Sequence, residues 1–297
     1  MTPMFGVLDW LAVGDLGLEQ TAGSVDRILG GTAARLAAHA AARGARTALV
    51  AKVGDDEAGR RAQELLRRLK VDVRWVQRTA ATRTTLFHEN PGHPEAWHVD
   101  RGADAALRLD EVPTATAAPA KLVVVSGYSL SVEPARAAAL GALLTARSRQ
   151  GRAALFLQAD RLWRSNARMT RRVLEPAIAA AFTVALGLPD LAVLFGAGVE
   201  PRDALRRLAA LGPKLIYLAA EDGDVWLQEG SRVHLIQAAG GHKPRDPYAG
   251  PAAFWAELAQ GTPAGKAVAA ALRYAQGIKR PGAPREARDR HRPKRGL

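Results

Sequence analysis

The sequence predicts an α/β fold with a small β lid, on three observations. Short apolar runs bounded by turn residues alternate with stretches of helical period along most of the chain, the pattern of repeated βαβ units. The run Lys121 to Ser126 centres on Leu-Val-Val-Val, the composition of a strand buried on both faces. Between such units lie short segments that alternate like half-exposed strands, the material for a lid.

Taken in order, Leu8 to Val13 is the first expected strand. Gly30 to Ala42 reads as a helix, with Leu36 and small alanines available for close packing. Thr47 to Val53 is the next strand. Glu57 to Leu69 is an amphipathic helix, with Leu65, Leu66 and Leu69 inward and Arg60, Arg61, Arg67 and Arg68 outward. Val71 to Val76, Thr84 to His88 and Ala96 to Val99 are the candidate lid strands. Pro134 to Ser148 and Arg202 to Leu211 are helices, and Ala153 to Leu157, Thr183 to Leu186 and Lys214 to Leu218 are core strands. Asp224 to Gln228 and Arg232 to Ile236 form a hairpin across Glu229-Gly230. Two helices close the pattern, Ala252 to Gln260 and Gly265 to Gln276.

Bulk properties narrow the function classes. The chain has 297 residues, enough for one large α/β domain, and 48% apolar residues supply a sizeable core. It has no cysteine, which excludes disulfides and thiolate metal sites and agrees with a cytoplasmic protein. Met1 to Trp10 lacks a basic segment followed by an apolar one, so no signal peptide is expected. No apolar stretch approaches the ~20 residues of a membrane span. The net charge of +13 favours acidic ligands or nucleic acid. The basic residues are spread rather than striped, in an alanine-rich chain, which fits a compositional bias. The exception is Arg285 to Leu297, a basic, proline-containing tail without apolar period, read as disordered.

The segment with chemical content is Asp246-Pro-Tyr-Ala-Gly-Pro-Ala-Ala-Phe254, followed by a helical run. It resembles the second signature of the ribokinase/PfkB family of carbohydrate kinases, D-T-x-G-A-G-D-x-F, with Asp246 and Phe254 matching. Other stretches resemble the family in order and spacing. These are Gly30-Gly31 (the GG of GG-x-x-x-N), Lys52-Val53-Gly54-Asp55-Asp56 with Gly59, and Thr82 to Phe87. Arg101-Gly102-Ala103, Val125-Ser126-Gly127-Tyr128 and Arg280-Pro281-Gly282-Ala283 complete the set. The resemblance covers roughly Trp10 to Ala283. It implies a ribokinase-like three-layer α/β/α sandwich over residues 1–283, with a β-sheet lid drawn from about 15–29 and 71–103, and a tail at 284–297. It also implies Mg-ATP as cosubstrate, a sugar or nucleoside as acceptor, and a homodimer formed through the lid.

The positions the family uses for chemistry are altered. Its catalytic aspartate falls on Ala252, and its glycine-rich anion hole on Ala249, Gly250 and Pro251. Proline has no N–H to offer an anion, and alanine cannot accept a proton. A positioned general base is worth roughly 100- to 10,000-fold in rate, and one anion-hole donor roughly 100- to 1,000-fold. Asp246 and Glu257 are the nearest carboxylates, and a one-residue shift of the loop brings neither to the vacant position. The family's sugar-gripping Asn falls on Arg35 and its early sugar-binding Asp on Glu19, whose pairing would fill the site from within. The stretch that organises Mg²⁺ reads Leu186 to Leu191, with only Asp190 acidic. The T-x-G beneath the phosphates falls on Leu218-Ala219-Ala220, and Gly282 marks the close of the nucleotide pocket.

Other constellations point elsewhere with less support. His88, His93 and His98 are five apart, a spacing that fits no zinc motif, with Pro91 and Pro94 interrupting, so no structural metal is expected. There is no G-x-G-x-x-G after a strand, no P-loop and no nucleophile elbow. Trp75 and Trp97 read as exposed lid aromatics suited to a dimer interface, and Trp163, Trp226 and Trp255 as core or lid residues. The leading expectation is a PfkB-family kinase homologue with impaired or lost phosphotransfer that retains binding of a nucleotide or small anion. The alternatives are an active sugar or nucleoside kinase with a displaced base, and a nucleic-acid-associated protein acting through its basic tail.

Overall fold

The computed structural model describes residues 7–90, 97–114, 118–148, 152–158, 167–238, 244 and 246–277. Thirteen strands are found among them: β1 (Leu8–Val13), β2 (Gly17–Thr21), β3 (Arg27–Gly30), β4 (Thr47–Gly54), β5 (Asp72–Thr79), β6 (Thr85–Glu89), β7 (His98–Asp100), β8 (Ala120–Ser126), β9 (Arg152–Phe156), β10 (Thr183–Gly187), β11 (Leu215–Ala219), β12 (Val225–Glu229) and β13 (Arg232–Ile236). The helices are α1 (Thr32–Ala42), α2 (Glu57–Arg68), α3 (Ala135–Ser148), α4 (Ala167–Ala180), α5 (Leu188–Phe195), α6 (Pro201–Ala210), α7 (Ala249–Ala259) and α8 (Ala264–Gly277).

Nine strands form one sheet in the order β13-β12-β11-β10-β9-β8-β1-β4-β5. From β5 to β11 all neighbours are parallel. β12 and β13 add an antiparallel hairpin at one edge. Alternation along β1 shows why the sheet needs helices on both sides. Trp10 and Ala12 point to a core shared with α1, α2, α7 and α8, through Leu36, Leu66, Phe254 and Leu272. Leu11 and Val13 point the opposite way, to a core shared with α3 to α6, through Leu143, Ile178, Leu191 and Leu205. Successive side chains of a strand face opposite sides, so a central strand covered on both must be apolar throughout.

Four further strands make the small sheet, in the order β3-β2-β6-β7. One expectation needs correcting here. The segment Val71 to Val76 was assigned to the lid, but β5 pairs in parallel with β4 at the edge of the large sheet. α2 is a crossover between two parallel strands, and such a connection returns the chain to the same sheet. The half-exposed alternation of β5 reflects its edge position rather than membership of a lid. Trp75 therefore lies on the large sheet, packed against the core rather than displayed on the lid.

Two helices are absent from the sequence reading. α4 carries Pro176 in its interior, which breaks a helical pattern read residue by residue. α5 has proline in its first turn, where the missing N–H costs nothing. α7 starts at Ala249 rather than Ala252, so Ala249, Gly250 and Pro251 form its first turn. α1 starts at Thr32, with Gly30 closing β3 and Gly31 between them. His93, Trp163, Gly282 and the basic tail lie outside the described residues. No helix among those described is long and apolar enough to cross a membrane.

Trp255 joins the layers. It is fully buried, its ring centroid is 6.0 Å from that of Trp10, and its Nε1 donates to Thr183 Oγ1 at 3.0 Å. Trp255→Ala is expected to lower the unfolding free energy by about 3–5 kcal/mol, through the cavity and the stranded Thr183 hydroxyl. Urea denaturation followed by circular dichroism measures it, and a loss under about 1 kcal/mol would contradict this packing.

Candidate active site

The site residues gather where the large sheet, the lid and the first turn of α7 meet. α1 is brought there by Asp15, a buried residue just after β1. Its carboxylate accepts from the Thr32 N–H, from Ser126 Oγ at 2.6 Å and from Ser129 Oγ at 3.1 Å. A helix start leaves N–H groups without intrahelical partners, and this carboxylate takes two of them, Thr32 and Ala33, from a distance in sequence. Gly31 has φ +96°, and a Cβ there would stand 2.6 Å from the Asp15 carbonyl oxygen. Only glycine fits that close approach.

Arg35, one turn into α1, occupies the centre of the site. Its Nη1 donates to Glu19 Oε2 at 2.9 Å and its Nη2 to Asp246 Oδ2 at 2.8 Å. The guanidinium lies 4.3 Å from the Tyr248 ring centroid. Arg35 is 3% exposed, Glu19 3% and Asp246 0%, so all three charges are removed from water. Asp246 Oδ2 also takes a hydrogen bond from His39 Nε2 at 3.1 Å, and its Oδ1 accepts from the Tyr248 N–H at 3.0 Å. Burial alone would raise the Asp246 carboxyl, but the Arg35 charge and the His39 hydrogen bond outweigh it and hold it well below the usual carboxylate range. Burial opposes the Arg35 charge, and the Asp246, Tyr248 and Glu19 groups overcome it, so Arg35 stays charged.

Two cavities flank this clamp. The one between Arg35 and the lid, lined by Glu19, Gly31, Phe87, Trp97 and Tyr128, measures only about 20 Å³, room for about one water. The other lies at the carboxyl ends of β9, β10 and β11 and measures about 360 Å³. Gln158, Asp190, Tyr217, Ala219, Ala220, Glu221, Gly250 and Pro251 line it. That is the end of a parallel sheet where ligands bind.

The residues singled out from the sequence separate between these places. Glu19, Gly31 and Arg35 line the smaller cavity, while Arg35, Asp190, Ala220, Gly250 and Pro251 line the larger one. Gly30 ends β3 beside them. Leu218 is buried in the sheet core and Ala252 in the core beneath α7, and neither lines either of these two cavities. Asp190 accepts from the Gly187 N–H at 2.9 Å, capping α5. In the first turn of α7 the Ala249 N–H bonds the Asp246 carbonyl at 3.2 Å and Pro251 has no N–H, which leaves the Gly250 N–H beside the cavity. The nearby carboxylates are engaged: Glu257 receives Arg43 Nη2 at 2.5 Å and Thr262 Oγ1 at 3.0 Å.

Sequence reasoning missed Asp15, His39, Gln158, Tyr217 and Tyr248. Gln158 accepts from Thr32 Oγ1 at 2.5 Å and donates to Tyr248 Oη at 3.0 Å, tying α1 to the loop before α7. Tyr217 Oη stands 2.5 Å from where a Cβ of Gly250 would be, directly over the first turn of α7. Burial pushes its phenol up, so it remains a neutral donor. His39 carried a usable signal, since it follows Arg35 by four residues and shares its helix face.

The comparisons agree with this architecture. A family model described as pfkB family carbohydrate kinase matches residues 12–278. Among solved structures, a fructokinase double mutant from Vibrio cholerae O395, with fructose, ADP and potassium bound, superposes with a TM-score of 0.79 at 17% identity, covering 92% of each chain. Fructokinase from Halothermothrix orenii gives 0.77 at 22% identity, covering 92% of this chain and 100% of that one. Aminoimidazole riboside kinase from Salmonella enterica, with aminoimidazole riboside and an ATP analogue, gives 0.76 at 18% identity over 90% of each. These similarities show the fold. No curated protein sequence matches the chain.

Two outcomes follow from the clamp. Arg35→Met leaves Glu19 and Asp246 buried without their cation and is expected to cost about 3–5 kcal/mol. The triple change Glu19→Gln, Arg35→Met, Asp246→Asn should recover much of that loss in chemical denaturation, because no uncompensated charge remains. The second concerns acid. The Asp246 carboxyl is depressed in the folded state, so its contribution is present above the unfolded value near ~3.9 and fades as pH falls below it. Asp246→Asn should therefore be markedly less stable than the parent at neutral pH, and the gap should narrow below about pH 4. A gap independent of pH would contradict the assignment.

Proposed function

Because the chain belongs to the pfkB family of carbohydrate kinases, the reaction to weigh is ATP-dependent phosphorylation of a sugar or nucleoside hydroxyl, and we propose that this member has lost it. The observation that carries the reading is the Arg35 clamp, with Glu19 at 2.9 Å and Asp246 at 2.8 Å beside a cavity of about 20 Å³. A sugar is many times larger than the water that fits there. The acceptor position is occupied by the protein's own side chains.

Three further features support the reading. Ala252 stands at the base position and is fully buried among apolar residues. Asp246 and Glu257, the carboxylates nearest to it in sequence, are both ion-paired. Pro251 takes an N–H out of the turn that would meet a phosphate. Phosphoryl transfer asks the protein mainly for positioning and charge stabilisation, and both are reduced here. A displaced base would have to come from elsewhere.

The larger cavity of about 360 Å³ is of the size that holds a small organic ligand. We assign it residual binding of a nucleotide or a comparable small molecule. The Gly250 N–H and the Tyr217 hydroxyl are its donors at the turn, and Gln158 is a polar group on its wall. If Mg²⁺ accompanies the nucleotide, Asp190 and Glu221 are the carboxylates on the wall that could meet it, oxygen ligands of the kind that ion takes.

Calorimetric titration with Mg-ATP and Mg-ADP, paired with an ADP-release assay over a panel of sugars and nucleosides, tests both halves. The expected result is nucleotide binding, at about micromolar affinity, without acceptor-dependent ADP release. Acceptor-dependent turnover would establish an active kinase with a displaced base. Absence of binding at millimolar nucleotide would remove the nucleotide from the reading.

A further inference from the structure

The lid carries a second cluster of chemistry-bearing side chains, on the face turned away from the site. In β6, Phe87 and Glu89 line the smaller cavity. Side chains alternate along a strand, so His88 between them projects to the other face. β7 pairs antiparallel with β6, and His88 stands directly opposite His98. Asp100 is two residues beyond His98 and so shares its face. The fold thus unites two of the three histidines that spacing alone had set aside, and adds a carboxylate the sequence reading did not include.

The geometry suits a metal ion. One ligand atom from each of His88, His98 and Asp100 lies within 4.8 Å of the others. His88 Nε2 and Asp100 Oδ2 are 3.3 Å apart. Two donors on a tetrahedral zinc ion, bound at about 2.0–2.2 Å, are separated by about 3.3–3.5 Å, so this pair already has the required spacing. The two imidazole rings are stacked, 4.3 Å between centroids and 6° between planes. His98 is exposed, so it can turn its ring toward an ion without disturbing the core. Two imidazoles and one carboxylate form a borderline-soft donor set, and a water would complete four-coordination.

We propose that the lid hairpin binds a divalent transition-metal ion of the zinc class through His88, His98 and Asp100. The ion would staple β7, the edge strand of the lid, to β6, whose opposite face carries Phe87 over the smaller cavity. The role is a structural clamp on the lid, outside the chemistry of the site. Arg83 competes for the carboxylate, its Nη2 3.8 Å from Asp100 Oδ2. Its guanidinium is mostly exposed, so its departure costs little.

The test uses the full chain, stripped with chelator and titrated with ZnCl₂, alongside His98→Ala, Asp100→Asn, Arg83→Ala and the control His234→Ala on β13. One tight site is expected in the parent, weakened at least about tenfold by His98→Ala and by Asp100→Asn. It should be unchanged in His234→Ala and tightened in Arg83→Ala. Zinc should raise the melting temperature of the parent and not of His98→Ala, because only an ion bound to the folded state stabilises it. Cobalt(II) substitution gives a readout independent of stability, a visible band of tetrahedral intensity that disappears in His98→Ala. Equal zinc affinity in the parent and His98→Ala would overturn the proposal by placing the ion on other histidines. Absence of a binding heat up to millimolar zinc would overturn it outright.

Discussion

The arrangement of the site depends on one buried cation held between two buried carboxylates. Glu19 comes from the lid strand β2, Arg35 from α1 and Asp246 from the loop before α7, so three separate parts of the chain meet at a single guanidinium. A buried ion pair is weak support for net stability, because removing the charges from water costs nearly as much as their attraction returns. Its effect is on arrangement. Unpairing any member strands a charge in a medium that penalises it, so alternative placements of the lid and loop are raised in energy. His39 and the Tyr248 ring complete the enclosure around the same two groups, Asp246 and Arg35.

The fold and the site rest on different residues. The sheet is held by apolar side chains on both faces, Trp10 and Leu49 toward one layer of helices and Leu11 and Val50 toward the other. Ala252 shows the separation most directly. At that position a carboxylate would need a cavity and a cation, and alanine instead packs into the core beneath α7. Pro251 is well placed in the first turn of a helix. The residues of this turn thus suit the helix they begin.

How much of this was legible in the sequence varied with the range of the interaction. The buried strands could be read because a strand covered on both sides must be apolar throughout, as Leu122 to Val125 is. The pairing of Glu19 with Arg35 was legible because both fell on positions of a recognisable pattern. The third member of the clamp was not, since Asp246 lies 211 residues from Arg35 and nothing local marks their contact. Gln158 and Tyr217 were missed for the same reason: Gln158 lies just past β9 and Tyr217 in the middle of β11, both core strands that look purely structural. β5 misled because an edge strand of the large sheet and a lid strand share the same half-exposed alternation. The pairing of His88 with His98 required the register of β6 on β7, which spacing along the chain does not contain.

The clamp also bears on how the lid can move. β2 carries Glu19 and α1 carries Arg35, so any displacement of the small sheet from α1 separates this pair. Where both groups regain water on separating, their recovered hydration offsets most of the lost attraction, so the pair fixes the closed geometry more than it forbids an open one. The cavity at the ends of β9, β10 and β11 is present with the clamp closed, so a ligand there needs no such displacement. The contact of Arg35 with Glu19 and Asp246 thereby leaves the strand-end cavity accessible while the small sheet stays against α1.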